Sequence, residues 1–82
     1  MSRQAQITVT VKFFATLRKY GPINEVIKIP ENSTVNFIFE KYEIPQDERR
    51  AIIMVNGRPH QTGETVLNQG DTVAIFPPIG GG

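Results

Sequence analysis

Between Ile7 and Phe76 the apolar residues change spacing from alternation to a helical period and back, and few folds satisfy that order in so short a chain. Ile7, Val9, Val11 and Phe13 alternate with Thr8, Thr10 and Lys12, the pattern of a half-buried, β-branched strand. Val35, Ile38, Phe39 and Tyr42 then fall at i, i+3, i+4 and i+7, which places them on one face of a helix. Two further apolar runs, 51–55 and 72–76, read as strands. A sheet with one apolar face and a helix with one apolar stripe bury both by packing on each other.

The segments between these runs fix the connections. Phe14 breaks the first alternation, and residues 15–20 follow as a helical turn stopped by Gly21-Pro22. Residues 25–29 form a second strand ended by Pro30, near enough to pair antiparallel with the first. Asn32-Ser33-Thr34 offers an N-cap for a helix over 34–43, and Ile44-Pro45 ends it because proline lacks a backbone donor and restricts the residue before it. Residues 46–50 are a charged connector, Asn56-Gly57 is a type I′ turn, and Arg58 and Pro59 lead outward on a short edge segment. Gly70-Asp71 introduces the last strand, and Pro77-Pro78 bounds it. The resulting order, ββαββ, is that of an α+β roll in which one main helix covers a mixed sheet, and the β-grasp or ubiquitin-like fold matches it best. Residues 1–78 form one domain on this reading, with 79–82 as a flexible C-terminal glycine tail.

Composition excludes several classes of function. A chain of 82 residues builds one modest core and no deep cleft between domains, so its chemistry belongs on its surface or tail. Nine basic and eight acidic side chains are scattered along it, which leaves no electrostatic footprint for nucleic acid. Cysteine is absent, which removes disulfides, thiolate metal sites and a cysteine nucleophile together. No apolar run has the length of a membrane span, and no secretory signal is visible, so a cytoplasmic location is expected. The single histidine, His60, falls in a polar loop and has no acid–base partner there. Glu40, Glu43, Asp47 and Glu48 alternate with Lys41, Arg49 and Arg50, the composition of a solvated mixed-charge face. Neither a metal site nor a catalytic site is expected.

The tail is the exception. Gly80, Gly81 and Gly82 carry no Cβ atom and can thread a slot closed to other residues, which presents the last carboxylate to a closed nucleotide site. A carboxylate becomes an acyl donor only after activation, so a partner enzyme with ATP is implied. A frayed terminus is the other reading of such an ending. From Ile79 onward the four residues reach roughly 14 Å. Ordering them costs about 4 to 8 kcal/mol, which contacts elsewhere on the fold must offset. With Val73 and Ile75 facing the core, Phe76 lies on the opposite side of its strand, and Phe14 takes the outer side of the first. Together with Leu17, Pro77, Pro78 and Ile79 they form either an apolar docking patch beside the tail or a second small core under a loop.

These residues resemble the MoaD/ThiS family of ubiquitin-like sulfur carriers, and within it the small subunits of molybdopterin synthase. The resemblance rests on Val11, Lys12, Phe13, Phe14, Ala15, Thr16, Leu17 and Arg18, on Val55-Asn56-Gly57, on residues 67–73, and on Phe76-Pro77-Pro78 before the glycines. It implies that Gly82 is adenylated by a partner related to ubiquitin-activating enzymes and converted to a thiocarboxylate with sulfur from a persulfide donor. ATP serves that enzyme, and the carrier binds no cofactor and catalyses nothing. The large subunit of molybdopterin synthase would receive the sulfur and build the dithiolene of molybdopterin. Two departures from the pattern are Gly80, where small synthase subunits often carry another residue, and the short connector 46–50. A triple-glycine ending is similar to the carriers of thiamine thiazole synthesis, and conjugation to lysines of target proteins is a further alternative.

Overall fold

The computed structural model describes residues 5–78. Strand β1 (Gln6–Phe13) buries Ile7, Val9, Val11 and Phe13 and leaves Thr8, Thr10 and Lys12 half-buried on its other face, as its alternation predicts. It pairs antiparallel with β2 (Glu25–Pro30), in a register that sets Val9 opposite Ile27 and Ile7 opposite Ile29. On its other side β1 runs parallel to the final strand β5 (Thr72–Phe76), with Val11 opposite Val73 and Phe13 opposite Ile75. Strand β3 (Ile52–Val55) lies antiparallel on the far side of β5, and β4 (Arg58–Gln61) closes the sheet in the order β2-β1-β5-β3-β4.

Helix α1 (Val35–Lys41) packs its buried Val35, Ile38 and Phe39 against the apolar face of this mixed sheet. Val73 and Ile75 of β5 are fully buried at the centre of the same core. The expected roll is therefore the observed one, with β5 as its central strand. No helix among the described residues is long and apolar enough to cross a membrane.

Several local expectations need correction. The order along the chain is ββαβββ, because Arg58–Gln61 pairs with β3 as a strand in its own right. Proline at 59 and the three polar or charged side chains of Arg58, His60 and Gln61 hid it, yet an edge strand accepts proline where the backbone N position faces outward. His60 accordingly sits in β4, not in a loop. The Asn56-Gly57 turn does form, with positive φ at both residues (54° and 80°), as a type I′ turn requires. The charged connector contains a 3-10 turn at Gln46–Glu48.

Both ends of α1 also differ from the sequence expectation. Thr34 is the N-cap residue, but its side chain makes no capping bond. The free amides of the first turn donate instead to a distant loop, Val35 N to Thr65 O at 3.0 Å and Asn36 N to Gly63 O at 2.8 Å. At the other end Glu43 adopts φ 56°, its amide donates to Glu40 O, and the amide of Ile44 donates to Phe39 O at 2.9 Å. This is a Schellman closure, with Glu43 in the left-handed position usually given to glycine. It stops the helix two residues short of the predicted end, before Pro45 can act.

Candidate functional site

The residues at the exit of β5 owe their arrangement to one backbone bond. The amide of Phe14 donates to Ile75 O at 3.1 Å, which carries the parallel ladder one residue past the end of β1. Phe14 stays extended (φ −122°, ψ 152°), so its ring lands on the face opposite buried Phe13. Phe76 does the same after buried Ile75. The two rings stack with centroids 4.4 Å apart and planes 7° from parallel.

Register brings further apolar groups to this face. Ile52 is the neighbour of Phe76 and Met54 the neighbour of Ala74, so both side chains flank the stacked rings. Ala15, Ile52, Met54, Phe76 and Pro77 line a shallow, almost wholly apolar groove on the face of the sheet away from α1. Phe14, Phe76 and Pro77 are half-buried, and Pro78 is exposed. Phe14 and Phe76 thus lie outside the main core, half-buried against each other, and Phe76 lines the groove.

Leu17 must be removed from this patch. It is 2% exposed and belongs to the main core, because the 3-10 turn Ala15–Lys19 folds it inward. Ile79, Gly80, Gly81 and Gly82 lie outside the described residues, as does the tail assigned to 79–82. The groove residues Ile52 and Met54 are not among the patch residues that the sequence suggests, because residues 51–55 read there only as a strand. Their alternation with buried Ile53 and Val55 was the available signal.

The polar groups are engaged structurally. Asp71, 8% exposed, accepts from Asn56 Nδ2 and from the amide of Asn68, each at 2.8 Å, while Asn56 Oδ1 accepts from the amide of Thr72 at 2.9 Å. This network ties the β3–β4 turn to the start of β5, at the end of the sheet opposite the groove. Glu40 pairs with Arg49 at 3.0 Å and Glu48 with Lys19 at 3.5 Å, as a mixed-charge face should. The Tyr20 hydroxyl donates to Glu48 at 2.5 Å, and this bond, with desolvation and the nearby carboxylates, pushes its pKa up to about 12. Burial of Tyr42, and its bond to Glu25 at 2.5 Å, raise the Tyr42 phenol further. Among the described residues no cluster of three or more His, Cys, Asp or Glu is placed to hold a metal ion.

A five-stranded mixed sheet with one helix on its apolar face is the β-grasp, or ubiquitin-like, fold. The ThiS family model matches residues 11–82, and the chain belongs to that family of ubiquitin-like sulfur carriers and modifiers. Its fold is shared with a Pyrococcus furiosus protein provisionally described as molybdopterin converting factor subunit 1 (29% identity, TM-score 0.70, covering 89% of this chain and 99% of that one). H. volcanii small archaeal modifier protein 1 is similar in fold at 18% identity (TM-score 0.72, 89% and 99% covered). So is a chain from the complex of subunits 1 and 2 of molybdopterin-converting factor of Helicobacter pylori 26695 (21%, TM-score 0.62, 93% and 100% covered). No curated protein matches the chain significantly.

Proposed function

We propose that this chain is the sulfur-carrying small subunit of a molybdopterin synthase, non-catalytic in itself, whose reactive group is the carboxylate of Gly82. The observation that carries the proposal is the apolar groove of Ala15, Ile52, Met54, Phe76 and Pro77 at the root of a glycine segment. Exposed apolar surface of this kind suits a docking partner. Docking there offsets the ~4 to 8 kcal/mol cost of ordering residues 79–82 inside a second protein.

In this reading a Gly82 carboxylate oxygen attacks the α-phosphorus of ATP on the activating enzyme and releases pyrophosphate. A persulfide sulfur displaces AMP from the acyl adenylate, and a thiol reduces the resulting acyl disulfide to release the thiocarboxylate. The large synthase subunit then takes the sulfur into the dithiolene. The H. pylori complex of subunits 1 and 2 supports a two-subunit assembly, and the P. furiosus relative supports the pathway.

Intact-mass analysis of protein isolated with its activating enzyme tests the chemistry. One oxygen replaced by sulfur at Gly82 is the expected product, and one residue added after Gly82 should abolish it. Sulfur transfer by the extended variant would refute the proposal. Adducts through Gly82 to lysines of other proteins, without thiocarboxylate, would assign the chain to the modifiers, and thiocarboxylate consumed only in thiazole synthesis would assign it to the thiamine route.

A further inference from the structure

The two edges of the sheet are unequal. Strand β4 is short, contains Pro59, holds His60 at φ 67° and shifts register against β3 between Ile53 and Val55. Proline, irregular backbone and bulges are the means by which proteins block strand addition at an edge. Strand β2 is six residues long, regular in its pairing with β1, and carries Val26 at 64% exposure. Lys28 is the single charge on its outer face.

The hydrogen-bond phase shows what β2 offers. Even-numbered residues of β1 bond toward β5, with Thr10 N to Asp71 O at 2.9 Å and Gly70 N to Thr8 O at 2.7 Å. Odd-numbered residues of β1 therefore bond toward β2, where their partners are Glu25, Ile27 and Ile29. The amides and carbonyls of Val26 and Lys28, and of Asn24 before them, face outward from the edge.

We propose that this edge pairs with the same edge of a second copy of the chain, antiparallel about a two-fold axis normal to the sheet at Val26. The sequence selects that register. Pairing centred on Val26 sets Val26 against Val26 and Asn24 against Lys28 on both sides, and every one of these residues has an amide to donate. Pro22 and Pro30 then fall opposite each other and bound the ladder, so neither removes a donor from a pair. Centring on Ile27 sets Asn24 against Pro30 and loses a bond at each end. Centring on Lys28 opposes two like charges, which is destabilising.

Three residue pairs bury far less than the ~1,200 Å² of a stable interface, so the dimer is weak and forms at roughly 0.1 to 1 mM. Strand β5 lies two strands inward from β2, and its groove stays uncovered. The two-fold axis reverses strand direction, so the two grooves lie at opposite ends of a ten-stranded sheet. The dimer does not depend on what chemistry Gly82 performs.

Because the chain has no cysteine, Val26→Cys is a clean probe. Mild oxidation should crosslink it at least about tenfold faster than Val66→Cys, a comparably exposed control at 51%. In the unmodified protein, amide NMR signals of Asn24, Val26 and Lys28 should move with concentration, and Val26→Lys should suppress the change. Equal crosslinking at the two sites, concentration-independent amides, or unchanged association of Val26→Lys would each overturn the proposal. So would a monomer at millimolar concentration whose β2 amides respond only to an added strand from another protein.

Discussion

Two tyrosines show at the scale of single residues how local contacts set the response of the fold to pH. Tyr42 sits edge-on to Phe13, with ring centroids 4.9 Å apart, and donates to Glu25 of β2. Tyr20 donates to Glu48 and joins the first 3-10 turn to the connector. Both contacts favour the neutral phenol, so each folded-state pKa lies above the ordinary value of 10. Below that value both the folded and the unfolded chain keep these protons, and the two groups give no pH dependence. Above it the unfolded chain ionises first and binds fewer protons, so stability falls as pH rises. Urea midpoints should therefore decline as pH rises beyond about 10, and this part of the profile is the tyrosines' contribution. Tyr42→Phe should flatten that decline more than Tyr20→Phe, because Tyr42 has the larger shift. The sequence put Tyr42 on the apolar face of the helix; it stands at the C-cap, one residue past Lys41, with its side chain still packed against the core. It contained no sign of either carboxylate partner, since Glu25 and Glu48 reach the rings only through tertiary contact.

At the scale of elements, α1 is closed at both ends by means the sequence did not advertise. Thr34 occupies a position where loss of a capping side chain ordinarily costs about 1 kcal/mol. Its side chain caps nothing, and the carbonyls of Gly63 and Thr65 supply the acceptors. Thr34→Ala should thus cost under about 0.5 kcal/mol in urea unfolding, well below an ordinary cap deletion. Exposed Glu43, held at φ 56°, should give the opposite sign: Glu43→Gly should stabilise by about 0.5 to 1 kcal/mol, as left-handed strain is relieved against the entropy of glycine. A loss of stability in Glu43→Gly would mean the left-handed turn is not strained. Helix period and apolar face were readable from Val35, Ile38 and Phe39. The cap was not, because a loop more than twenty residues downstream provides it. Strand β4 escaped for a related reason: its polar side chains carry no alternation, and only its hydrogen bonds to β3 make it a strand.

At the scale of the whole molecule, the described residues 5–78 share one contiguous apolar core. Deleting the glycine-rich segment 79–82 should change the stability by less than about 0.5 kcal/mol, as expected for a terminal run with three residues that carry no side chain. The same deletion should remove all sulfur loading, and a variant that loses both stability and loading would show the tail to be part of the fold. By itself the sequence determined the alternation of β1, the apolar face of α1, the central burial of Val73 and Ile75, and the outward side of Phe14 and Phe76. These follow from the period of side chains along a strand or helix, which is a property of local backbone geometry. Only the tertiary structure decided that Leu17 is core, that Ile52 and Met54 complete the groove, and that β2 is an open edge while β4 is a guarded one. Each depends on which strand lies beside which, and the parallel pairing of β1 with β5 joins residues more than sixty positions apart that no local pattern connects.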